Sequence, residues 1–186
     1  QDKSAPLFPD IYWSRPENKR YAGKLLITGG NLHSFAATAQ AFAVANQAGA
    51  GVVRVLLPNS LEKLLRKTFP DAEYSPSTPS GSFAQLGLGK WLELASWADG
   101  VLICDDLSSN SETAILIEKF IEKYTGLLTI NGEVALGSSA LTHQVVSRQD
   151  TTLVLNAKQL QKLAVLTKYQ HAFTSDMGQL KLSEQL

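Results

Sequence analysis

Short apolar runs, rich in β-branched residues, alternate along this chain with stretches of helical character, and that alternation restricts its fold more than any other feature. The runs occupy residues 24–28, 52–57, 101–104, 127–130 and 153–155. They lack the in-out polarity of a half-exposed strand, as expected of parallel strands buried on both faces. Between the first two lies an alanine-rich segment, 34–48, in which Phe35, Ala39 and Phe42 share one helical face. So much alanine implies close packing against a sheet. Further helices are expected after Pro58-Asn59, with Ser60 as N-cap, and over 88–97. Another is expected after Ser109, whose spacing to Glu112 fits a capping box, bearing Ile117, Phe120, Ile121 and Tyr124. Asn156 and Gln159 repeat that spacing ahead of a last helix. Residues 75–82, rich in Pro, Ser and Gly, read as a loop. The expected fold class is a three-layer αβα sandwich with a mainly parallel sheet.

Residues 1–23 carry Pro6, Pro9 and Pro16 and read as an extended lead-in, anchored by Ile11, Tyr12 and Trp13; residues 24–186 form a single α/β domain. Lys and Arg total 17, as do Asp and Glu, for a formal net charge of +0. Neither nucleic acid nor an anionic membrane is therefore an expected partner. No apolar run is long enough for a transmembrane helix, and the first residues lack a leader's apolar region, so a cytoplasmic protein is expected. The one cysteine, Cys104, ends an apolar strand and reads as an inert buried thiol. It permits no disulfide within the chain.

In parallel sheets ligands gather at the carboxyl ends of the strands, here residues 29–34, 105–110, 131–134 and 156–159. Gly29-Gly30-Asn31-Leu32-His33-Ser34 joins a strand to a helix, where glycines let the backbone approach a ligand and free N–H groups face an anion. The same residues also suit a plain tight turn. The motif is neither G-x-G-x-x-G nor a P-loop, since no Gly-Lys-Ser/Thr follows. Trp91 and Trp97 sit nearly opposite each other on their helix, one inward and one outward.

The run from Gly23 to Asn31, the alanine-rich helix, and then Ala48-Gly49-Ala50-Gly51-Val52-Val53 resembles the opening of the ADP/ATP-dependent NAD(P)H-hydrate dehydratases, of the ribokinase-like superfamily. That family has Gly-Gly-Ser and Gly-Ala-Gly-Leu-Val at these places. The resemblance weakens but extends from about residue 18 to about residue 165. It implies a ribokinase-like fold and ATP or ADP with Mg²⁺ as cofactor. It also implies hydrated NADH or NADPH as the substrate to be dehydrated, by phosphoryl transfer from the nucleotide.

Residue by residue the catalytic signature is thin. Asp105-Asp106-Leu107-Ser108-Ser109 stands where the family has Gly-Pro-Gly-Leu-Gly. Two carboxylates there repel a phosphate; they suit Mg²⁺ or a cationic group, or simply a solvated loop. Asn131-Gly132-Glu133 replaces Asp-Ala-Asp and also fits a turn. Asn156-Ala157-Lys158-Gln159 replaces His-Pro-Gly-Glu, and helix capping alone explains it. The family's catalytic Gly-Thr-Gly-Asp occurs nowhere in the 186 residues. The resemblance would place it, with the last strands, beyond residue 186, leaving a fold incomplete on its C-terminal side.

The expectation is thus a divergent dehydratase-like protein with no assignable catalytic residue, or a non-catalytic nucleotide-binding, regulatory or structural subunit. An unrelated Rossmann-like binding domain is a third reading. The nucleotide- or substrate-binding candidates are Gly29, Gly30, Asn31, His33, Ser34, Asp105, Asp106, Asn131 and Asn156, with no metal site among the histidines. A sheet short of strands leaves an edge that another copy can cover, so a homo-oligomer is expected.

Overall fold

The computed structural model describes residues 16–107 and 109–171, with Phe173, Thr174, Met177, Gly178 and Lys181. The anchors Ile11, Tyr12 and Trp13 lie outside the described residues. Among the described residues six strands form one sheet: β1 (Lys24–Thr28), β2 (Val52–Pro58), β3 (Ala72–Ser75), β4 (Gly100–Ile103), β5 (Leu127–Asn131) and β6 (Thr151–Val154). All pairs are parallel, in the order β3-β2-β1-β4-β5-β6. The chain steps outward from β1 to β3, then returns to lay β4 on the other side of β1. The order reverses between β1 and β4, which opens a crevice at their carboxyl ends.

The helices are α1 (Ala36–Gln47), α2 (Glu62–Leu65), α3 (Leu88–Trp97), α4 (Ser111–Lys123), α5 (Gly132–Ala135), α6 (Ser139–Ser147) and α7 (Ala157–Leu166). Period-2 alternation sends Leu26, Val101, Ile103, Leu128 and Ile130 to one face of the sheet. There they meet α3, α4 and α6. The α4 residues Thr113, Leu116, Ile117, Phe120 and Ile121 are buried at helical spacing, giving that helix one apolar side. The core of this layer is aromatic: Trp91 meets Phe83 and Phe120 edge-on, with ring centroids 5.0 and 5.3 Å apart, and Tyr124 stacks on Phe120. Ile27, Val55, Leu57 and Cys104 point to the other face, against α1 and Leu61 and Leu65. Helices thus cover both sides of a parallel sheet, the three-layer αβα architecture expected from the alternation of strands and helices.

Several local expectations are corrected. Asn110, not Ser109, caps α4, accepting from the N–H groups of Glu112 and Thr113. Ser60 caps nothing; its hydroxyl donates to the Gly81 carbonyl at 2.8 Å, and a 3-10 turn leads into α2. The last strand runs Thr151–Val154 rather than 153–155, paired to β5 from Leu128 to Asn131. Residues 72–75, just ahead of the expected loop and overlapping it only at Ser75, form the edge strand β3, for which no strand was expected. On α1 the face turned to the sheet is Ala37, Ala41, Phe42 and Ala45, with Phe35 ahead of the helix. Trp91 is the inward tryptophan; Trp97 is half-buried beneath the Arg54 guanidinium, 4.0 Å from its ring.

Candidate functional site

Four loops meet the carboxyl edge of the sheet: residues 29–35 after β1, 104–107 with 109–110 after β4, Asn131 into α5 and Leu155-Asn156 into α7. The first is held tightly. Gly30 has φ of +89°, a left-handed backbone that glycine adopts without strain. A Cβ on Gly29 would collide with Thr38 Oγ1 and lie 3.1 Å from the Asp105 carbonyl oxygen, so the loop after β4 rests directly on this glycine. Asn31 and Ser34 exchange two backbone hydrogen bonds, and the His33 N–H donates to Asn31 Oδ1 at 2.8 Å. Gly29, Gly30 and Asn31 are buried, Ser34 is half-buried and His33 is exposed.

The loop after β4 closes over this corner. Asn31 Nδ2 donates to the Asp106 carbonyl at 2.5 Å. The Ala37 N–H, in the first turn of α1, donates to Asp106 Oδ2 at 2.9 Å. A helix N-terminus carries free N–H groups and a partial positive charge, and is where an anion binds. The protein's own carboxylate fills that seat. No side chain of Phe35, the residue at the N-cap position, does so. To reach it Asp106 takes φ of +69°, the left-handed region that disfavours a non-glycine residue.

On the other side of Asp105 and Asp106 lies a cleft of about 620 Å³. Asn110, Glu133, Ser138 and Lys162 contribute polar groups, and Leu107, Ile117, Leu136 and Leu141 its apolar walls. Lys162 Nζ donates to the Leu136 carbonyl at 3.1 Å. Gln159 Nε2 donates to Glu133 Oε1 at 2.9 Å, tying the first turn of α7 to α5. Asn156 and Gln159 form a reciprocal capping box on α7, as their spacing suggests. Asn131 is the N-cap of α5, accepting from the Glu133 N–H at 3.0 Å, rather than part of an Asn-Gly turn.

Of the nine candidate residues, Asp105 and Asp106 line this cleft, while Gly29, Gly30, Asn31, His33, Ser34, Asn131 and Asn156 do not. The diglycine corner and the acidic loop are adjacent, but Asp106 lies between that corner and open space. Glu133, Ser138 and Lys162 were not singled out from the sequence. Only the position of Glu133, just past a strand end, could have flagged one of them.

Asp105 Oδ1 is buried without a hydrogen-bond partner. Burial pushes this carboxyl above its ordinary range, and the nearby Glu133 and Asp106 charges add to the shift. In the folded chain it therefore keeps its proton to higher pH than in the unfolded chain. Between the two pKa values the native state binds the extra proton, so stability falls as pH rises through that window. Asp105→Asn is expected to stabilise the protein at neutral pH, with the gain shrinking towards acid pH. Urea denaturation of both proteins at two pH values checks this. Beneath the same loop, burial raises the Cys104 thiol to about 11, and the Asp105 and Asp106 charges add to it. It is a neutral, inert thiol.

These residues do not fit nucleotide phosphates as they stand. The anion seat holds a carboxylate, and Asp105, Asp106 and Glu133 present like charge to an incoming phosphate. Among the described residues no three His, Cys, Asp or Glu side chains gather as metal ligands, and no helix is long and apolar enough to cross a membrane.

No protein-family model and no curated protein matches the sequence. Solved structures do match the fold. A ribokinase-like superfamily protein from Enterococcus faecalis V583 superposes with a TM-score of 0.65 at 16% identity, over 92% of this chain and 58% of its own. A hypothetical protein from Streptococcus mutans superposes with a TM-score of 0.55, also at 16% identity, over 89% of this chain and 55% of its own. The chain thus spans less than two thirds of either protein. At such identity the likeness concerns architecture alone. The parallel six-stranded sheet, its helical layers and these superpositions give the chain a ribokinase-like α/β fold.

Proposed function

We propose that this chain is a divergent, NAD(P)H-hydrate dehydratase-like domain that has given up phosphoryl transfer and serves as a non-catalytic subunit binding a small molecule. The observation that carries this reading is the Asp106 carboxylate on the Ala37 N–H. Phosphoryl transfer depends on donors that hold the phosphate's charge, and here the first such donor is already spent on the protein. The cleft beside Asp105 and Asp106 remains, with apolar walls and a few polar groups, the usual make-up of a small-molecule site. Its ligand turns a neutral or cationic group, not a phosphate, towards those carboxylates. A nucleotide binds through its nucleoside portion.

Calorimetry with adenosine, ADP and ATP in the presence of Mg²⁺ tests this, together with an assay that follows recovery of NADPH absorbance from its hydrate. The expected outcome is no turnover, and affinities for ADP and ATP no better than for adenosine. Turnover, or phosphates that tighten binding tenfold, overturns the loss of phosphoryl chemistry. Silence for all three compounds overturns the binding role.

A further inference from the structure

Four charged side chains line the cleft of about 620 Å³: Asp105, Asp106, Glu133 and Lys162. Two of them are already served. Asp106 accepts from the Ala37 N–H, and Glu133 accepts from the Gln159 amide. The other two are not. Among the described residues no hydrogen bond or ion pair reaches the Asp105 carboxyl, and its Oδ1 is buried. A buried acceptor without a donor is uncommon in folded proteins, and costly when it carries charge. Lys162 Nζ spends one N–H on the Leu136 carbonyl. An ammonium has three such donors, and among the described residues no carboxylate pairs with it.

The cleft thus holds an acid and a base, each without an opposite charge, that do not meet each other. The topology keeps them apart. Asp105 follows β4, and Lys162 lies in α7, which follows β6. β5 stands between those strands, and two strand spacings are about 10 Å. Leu107, Ile117, Leu136 and Leu141 give the same cleft apolar walls, none more than 5% exposed.

We propose that the cleft takes a zwitterion, a small molecule with an ammonium at one end of an apolar stem and a carboxylate at the other. The ammonium donates to Asp105, and the carboxylate accepts from Lys162 Nζ. Charge-assisted bonds of this kind are about twice as strong as neutral ones, and the stem lies against the leucine and isoleucine walls. A compound with the ammonium alone leaves Lys162 unanswered. One with the carboxylate alone leaves Asp105 unanswered and meets three like charges. The inference rests on the binding role proposed above and names the class of its ligand.

Calorimetry with 6-aminohexanoate, hexylamine and hexanoate tests it, with adenosine as the reference. The zwitterion should bind at least about tenfold tighter than either one-charge analogue. Lys162→Met should abolish its advantage over hexylamine, and Asp105→Asn its advantage over hexanoate. Lys162 is exposed, so its substitution leaves the core untouched; circular dichroism checks that both variants fold. Lys162→Gln, whose amide can still donate to the Leu136 carbonyl, should lose the same advantage as Lys162→Met. A one-charge analogue that binds as tightly as the zwitterion overturns the inference, as does an advantage that survives any of these substitutions. If adenosine binds and 6-aminohexanoate does not, the inference falls and the binding role stands. If none of the four compounds binds, both fall.

Discussion

Asp106→Gly is expected to turn a chain indifferent to phosphate into one that binds it. Removing the carboxylate frees the Ala37 N–H at the start of α1 and takes a like charge out of the path of an incoming anion. ADP should then bind at least about tenfold tighter than to the parent, about 1.4 kcal/mol, with adenosine unchanged; calorimetry with both compounds reads the difference. Stability should move little, because two opposing effects are of similar size. Losing a helix cap costs about 1 kcal/mol. Glycine relieves a left-handed backbone, φ +69°, that costs a non-glycine residue about 1–2 kcal/mol. Asp106→Asn separates the contributions. An amide still caps the helix and tolerates that backbone, so only the charge is lost, and the gain for ADP should be smaller.

The largest stability effect is expected at Trp91. Its indole is 1% exposed and lies between Phe83 and Phe120 in the layer formed with α4. Truncation to alanine removes both ring contacts and leaves a cavity, at a cost of about 3–5 kcal/mol. Against a total stability of roughly 5–15 kcal/mol, that is enough to lower the midpoint of thermal unfolding by about 10 °C or more. Trp91→Phe should cost far less, since it leaves a smaller void and removes an indole N–H that has no acceptor. Differential scanning calorimetry of the three proteins ranks them. Equal loss in both variants would mean that the ring volume is not what holds this layer.

The fold was legible because its signal is local. Residues 24–28, 101–104 and 127–130 are apolar runs whose both faces must be buried, and helical periodicity between them needs no knowledge of what lies across the sheet. What escaped was short or mixed in character. Ala72-Glu73-Tyr74-Ser75 forms an edge strand in which Glu73 turns to Lys90, at 2.6 Å, and such a segment looks like loop. Ser139–Ser147 is a helix though its sequence is mixed and carries Val145-Val146 near its end, because Leu141, Thr142 and Val145 find a core that only the folded chain supplies.

The site was less legible than the fold for a related reason. That two carboxylates follow β4 could be read directly, along with their poor match to phosphate. That one of them caps a helix 69 residues away could not. The bond depends on the reversal between β1 and β4, which brings the two loops side by side, and on a left-handed backbone at a non-glycine residue. Glu133 and Lys162 join the same cleft only because β5 and β6 are neighbours.

The bond between the Asp106 carboxylate and the start of α1 is open to direct observation. In proton–nitrogen NMR with hydrogen exchange, the Ala37 amide of the parent should exchange slowly because the carboxylate holds it, and its signal should stay still when ADP is added at neutral pH. In Asp106→Gly that protection should be lost and ADP should move the same signal. An Ala37 amide that exchanges freely in the parent, or responds there to ADP, would mean that the seat at the head of α1 is open to a ligand's phosphate.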